Sequence, residues 1–161
     1  LNDENKDIQI KKWEYHGNGK FSINVDKIIL QRKISILDDH TILDELEATN
    51  RDYKPKKVLI EYVASLKDKI LWIQAGDTII GKEQILSRTA KRKITIMTNN
   101  SEICLEILGK GKQDIRAFQL LDLNGFLKAS WKWNIMPKKS KKKRIILTIK
   151  EPMQEIHKNI T

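Results

Sequence analysis

Residues 126–135 read FLKASWKWNI. Leu127, Ala129, Trp131, Trp133 and Ile135 fall at every second position, with Lys128, Ser130, Lys132 and Asn134 between them. Side chains alternate faces along a β-strand, so this pattern predicts one buried face and one wetted face. Pro137 then ends the ladder, because it has no N–H to donate.

The same period recurs on both sides of this stretch. Ile145, Leu147 and Ile149 alternate up to Pro152. Ile103, Leu105 and Ile107 do so with Cys104, Glu106 and Leu108 opposite, and Ile94 and Ile96 form a shorter run. Val58–Leu66 and Ile70–Ile73 are denser in apolar residues and predict strands buried on both faces, or the most central ones. Turn residues separate the runs. Asn18-Gly19 and Asn124-Gly125 are hairpin signals, since both central residues of a type I′ turn need positive φ. Asn99-Asn100, Gly76-Asp77, Gly81 and Gly109-Lys110-Gly111 mark further turns.

One segment departs from the pattern. In Thr41–Thr49 (TILDELEAT), Ile42, Leu43 and Leu46 sit at helical spacing. Thr41 as N-cap with Asp44 three residues on predicts a short helix, with an extended loop as the alternative. The expected fold is mainly β: an antiparallel β-sandwich, or a related barrel, with one short helix. It forms a single domain over residues 8–152, between a polar tether at 1–7 and a tail at 153–161.

The chain has 161 residues and a net charge of +10, from 31 Lys+Arg against 21 Asp+Glu. That length suits one domain with a real core. No stretch approaches the ~20 apolar residues of a membrane-spanning helix. The lone Cys104 cannot form an internal disulfide or a zinc cluster by itself. Ile and Lys occur 25 times each, so part of the positive charge reflects an AT-rich coding sequence. The rest is concentrated. Lys138, Lys139, Lys141, Lys142, Lys143 and Arg144 lie within seven residues and predict a solvated loop between two strands. Such a cluster is the best candidate for contact with a polyanion. Asp38, Asp39, Asp44, Glu45 and Glu47 form an opposing acidic segment.

Other chemistry is sparse. His16, His40 and His157 show no metal-ligand spacing, and no cofactor or metal site is expected. Asp38, Asp39 and His40 are the one grouping that could serve a hydrolase; a connecting-loop role is the plainer reading. Gly17-Asn18-Gly19-Lys20 is a hairpin and not a phosphate loop, because Lys20 leads into a strand pattern at Phe21. Cys104 has no adjacent base and reads as a packed residue. Trp131 and Trp133 could stack on sugars or bases, but they share a face with Leu127, Ala129 and Ile135 and read as core.

The polar opening LNDENKDIQIKK, the Ile/Lys-rich texture and the absence of disulfide pairs resemble surface lipoproteins of Borrelia-type spirochaetes, their S2-antigen group among them. The resemblance implies a non-enzymatic, lipid-anchored outer-surface protein that binds host molecules. The strand-rich pattern departs from the mostly helical members of that class. The expectation is therefore a non-catalytic extracytoplasmic domain. It binds a host protein or a heparin-like glycosaminoglycan, and meets the membrane only through an N-terminal lipid absent from this chain. An intracellular nucleic-acid-binding module is the alternative, and an enzyme acting through Asp38, Asp39 or His40 is the third reading.

Overall fold

Strand pairing organises the computed structural model, which describes residues 12–79, 86–119 and 125–151. In chain order the strands are β1 (Glu14–Tyr15), β2 (Lys20–Val25), β3 (Ile28–Asp38), β4 (Thr41–Asn50), β5 (Lys56–Ser65), β6 (Ile70–Ala75) and β7 (Thr78–Ile79). They continue as β8 (Leu86–Thr89), β9 (Lys93–Thr98), β10 (Glu102–Leu108), β11 (Asp114–Gln119), β12 (Gly125–Ile135) and β13 (Ser140–Lys150). Nine form one sheet, in the order β1-β2-β3-β4-β13-β10-β9-β6-β7, and four form another, β5-β12-β11-β8. Every pairing is antiparallel.

The two sheets enclose one core, as the alternation around FLKASWKWNI implies. Leu127, Ala129, Trp131, Trp133 and Ile135 on β12 are all buried. The two indole rings meet edge-on, 5.9 Å between centroids, a geometry that suits their quadrupoles. Ile94, Ile96, Leu105, Ile107 and Ile145 face them from the larger sheet.

The predicted helix at Thr41–Thr49 is instead strand β4, paired with β3 on one side and β13 on the other. Asp44, Leu46, Ala48 and Asn50 point inward and are buried. Period two was hidden because two of these four inward residues are polar. Asp44 is held by Arg32 on β3, whose Nε lies 2.9 Å from both carboxylate oxygens and whose Nη2 also donates to Oδ2. A strand neighbour thus supplies the charge that lets an aspartate face the core, which local sequence cannot reveal.

Val58–Leu66 is also corrected. Most of it is β5, an edge strand buried on one face only: Ile60 is buried, while Leu59 and Val63 are exposed. In Ile70–Ile73, Ile73 is buried but Leu71 faces solvent. The Asn18-Gly19 turn is borne out, with φ of 85°, 50° and 72° at Gly17, Asn18 and Gly19. A Cβ on Gly19 would lie 2.2 Å from the Ile34 carbonyl oxygen, so no other residue fits there. Asn99-Asn100 joins β9 to β10, and Gly76-Asp77 joins β6 to β7. The tether at 1–7, Gly81, Asn124, Pro152, His157 and the tail at 153–161 lie outside the described residues.

Asp44→Ala should strand the Arg32 guanidinium. Because Arg32 keeps some contact with water, we expect a loss of about 2–3 kcal/mol, at the low end for a broken buried pair. Urea unfolding should show a lower midpoint with an unchanged slope. The double variant Arg32→Met/Asp44→Leu should recover most of that loss.

Candidate functional site

The basic run does not form one loop. Lys138 and Lys139 lie in the turn between β12 and β13, but Ser140 already pairs with Thr49 of β4. From there the strand period divides the charges. Lys142 and Arg144 point to the open face of the nine-stranded sheet, while Lys143 points into the core and is 1% exposed. The loop assignment for Lys141, Lys142, Lys143 and Arg144 is thereby corrected: hydrogen bonding to β4 extends the strand through them.

Cross-strand register gathers other residues beside Lys142 and Arg144. Lys20, Lys33, Glu45 and Arg144 are direct neighbours across β2, β3, β4 and β13. Two residues along, Ser22, Gln31, Glu47 and Lys142 form a parallel row on the same face. Together they floor a cleft of about 970 Å³. The β10–β11 turn forms one rim with Gly109 and Lys110, and His16 forms another. His16 Nε2 is 2.6 Å from Ser22 Oγ, and Lys142 Nζ is 3.0 Å from Glu47 Oε2. Gly109, with φ of 135°, brings its turn against β13: a Cβ there would lie 3.0 Å from the Lys142 carbonyl oxygen.

The cleft combines strand-mounted cations with two carboxylates and small polar groups. It can grip an anionic, hydroxyl-rich ligand through charge-assisted hydrogen bonds. Trp131 and Trp133 contribute nothing to it, since both are in the core. Of the predicted basic residues only Lys142 and Arg144 face the cleft, with Lys143 lining it from within the same strand. Lys20, Lys33, Lys110 and His16 were not singled out as ligand contacts. Their outward positions in β2 and β3 were readable by alternation, but their convergence depends on register.

Asp38 ends β3, and Asp39 and His40 connect it to β4. The Asp38 carboxylate accepts the His40 backbone N–H at 2.8 Å, which holds it below the usual carboxylate range. These residues border a separate depression of about 450 Å³ that Ile36, Ile42 and Ile149 also line. Among the described residues no group of three or more His, Cys, Asp or Glu side chains converges on a metal position. Cys104 is half-buried on the open face, opposite Thr95 and Thr148.

Lys143 has no carboxylate partner among the described residues. Its Nζ donates to Gln113 Oε1 at 3.1 Å and lies 5.5 Å from the centre of the Trp131 ring. Burial lowers its pKa below the ordinary 10.5, and the nearby Arg92 charge lowers it further. The folded state therefore releases this proton at lower pH than the unfolded chain. Across that interval the unfolded chain binds more protons, so stability rises with pH and the gain is complete above 10.5. Lys143→Met should remove this alkaline rise while keeping the fold, as read from denaturant midpoints of the two proteins at neutral and alkaline pH.

No protein-family model matches the sequence, and no characterised protein matches it significantly. Solved structures do share its fold. The chain superposes on the Slr1438 protein of Synechocystis sp. PCC 6803 with a TM-score of 0.64 at 9% identity, over 87% of this chain and 66% of that one. An aldose 1-epimerase-like protein from Escherichia coli K12 gives 0.61 at 9% identity, over 88% and 69%. A heparinase III gene product gives 0.56 at 12% identity, over 89% of this chain but 21% of that one. The chain is thus similar to these proteins in fold, spanning about two-thirds of the first two and about a fifth of the third.

Proposed function

We propose that the protein is a non-catalytic receptor for acidic saccharides of the glycosaminoglycan type, which it binds in the open-face cleft. The observation that carries this reading is the row Lys20–Lys33–Glu45–Arg144, with Lys142 beside it. Neighbouring strands are about 4.8 Å apart, so the row spans about 14 Å, enough for two or three sugar units. Lys20, Lys33, Arg144 and Lys142 answer the carboxylates or sulfates of such a chain, while Ser22, Gln31 and Glu47 can answer its hydroxyls. The shared fold with a heparinase III gene product and an aldose 1-epimerase-like protein supports a saccharide as the ligand class.

Heparin oligosaccharides should bind at low salt and neutral dextran should not. Lys33→Ser/Arg144→Ser should weaken heparin binding at least about tenfold in a titration at fixed salt. Lys54→Ser/Lys139→Ser, outside the cleft lining, should leave it unchanged. Equal affinity of the cleft variant and the parent protein would remove the cleft from the reading.

A second reading, an enzyme acting on free sugars, is favoured by one observation: His16, Glu45 and Glu47 border the same cleft. The receptor reading expects no acceleration of anomer interconversion of glucose or galactose over buffer, followed by polarimetry. A rate that falls with Glu45→Gln would establish the enzymatic reading instead.

A further inference from the structure

Lys138 and Lys139, which precede β13, have a different setting. Three loops meet at one end of the sandwich: the β2–β3 turn (Asp26–Lys27), the β4–β5 loop (Arg51–Pro55) and the β12–β13 turn (Met136–Lys139). Backbone bonds stitch them together, from Asn50 N–H to the Lys139 carbonyl and from Arg51 N–H to the Lys27 carbonyl, 2.9 Å each. The buried Asn50 side chain orders the middle loop. Its Nδ2 donates to the carbonyls of Ile135 at 2.9 Å and Lys54 at 2.8 Å, and its Oδ1 accepts the Asp52 N–H at 2.8 Å.

The loop tips carry apolar groups into solvent. Tyr53 is 84% exposed, Met136 54% and Val25 49%. Around them stand Lys27, Arg51, Lys54, Lys138 and Lys139, all exposed. The two acids present, Asp26 and Asp52, are already occupied by Lys56 and Lys27. Lys138 Nζ lies 4.4 Å from the centre of the Tyr53 ring.

We propose that this end of the sandwich docks on an anionic phospholipid surface. Exposed lysines alone would suit any polyanion. A ring of cations around protruding Tyr, Met and Val suits a surface with anionic headgroups over an apolar layer. Tyr53, Met136 and Val25 enter the headgroup–acyl boundary, while Lys54, Lys138 and Lys139 take the lipid charge. The Tyr ring is suited to that depth, being apolar in body and polar at its tip.

Sedimentation with vesicles of equal parts phosphatidylserine and phosphatidylcholine tests this. The protein should partition onto them, should not partition onto pure phosphatidylcholine, and should be released by added salt. Each surface lysine contributes about fivefold to such partitioning, so Lys54→Ser/Lys139→Ser should lower it about thirtyfold. Tyr53→Ser removes no charge and should also lower it several-fold, while the cleft variant Lys33→Ser/Arg144→Ser should leave it unchanged. No binding to the anionic vesicles overturns the proposal. So does binding that Tyr53→Ser leaves intact, since the site then reads charge alone and belongs to a soluble polyanion such as heparin or nucleic acid.

Discussion

Strand β13 is hydrogen-bonded on both sides, to β4 and to β10, and the layout of the molecule follows from its register. Pairing from Ser140 onward leaves each successive side chain only two directions. Ile145 and Lys143 go to the core, and Arg144 and Lys142 to the open face. A slip of one residue would exchange these sets, placing two charges in the core and an isoleucine in the cleft. The same ladder holds β4 as a strand, since all of its residues from Thr41 to Thr49 pair with β13 or β3. Local helical spacing cannot compete with backbone bonds made to two neighbours.

Among the buried polar side chains, Asp44, Asn50 and Lys143 are each satisfied differently. Asp44 is neutralised by Arg32. Asn50 is uncharged and exchanges hydrogen bonds with two carbonyls and an N–H. Lys143 has the Gln113 amide oxygen, the Gly111 carbonyl and the Trp131 ring but no counter-charge among the described residues. Desolvation therefore weighs most on Lys143, whose proton is held less tightly than in an ordinary lysine. The first two residues serve surfaces as well as the core. Asp44 lies between Leu43 and Glu45, whose side chains turn outward, and Asn50 orders the loop that carries Tyr53.

The result is a sandwich with two basic surfaces of unlike character. On the open face, cations stand in rows beside carboxylates, hydroxyls and amides, in a cleft with volume enough for a short oligosaccharide. At the loop end, cations surround protruding apolar groups. The fold shared with solved structures of 9–12% identity bears on the arrangement of strands alone. The charges on those strands are this chain's own.

Much of this was legible in the sequence. The alternation in FLKASWKWNI, ICLEIL and IILTI, with Gly and Asn at the turns, determined a mainly antiparallel β protein with Trp131 and Trp133 in its core. Burial of every second residue follows from the geometry of a single strand and needs no knowledge of its neighbours. The Asp26-Lys27 turn carries no glycine signal in the sequence, although both residues adopt positive φ. What only the tertiary structure decided depends on which strands lie side by side. Asp44 could face inward only beside Arg32. Lys20 and Lys33 could join Arg144 only through the order β2-β3-β4-β13. The run Lys138–Arg144, continuous in sequence, was divided between a turn, an open face and the core because alternation begins where pairing begins, and pairing is a property of two chains of residues rather than one.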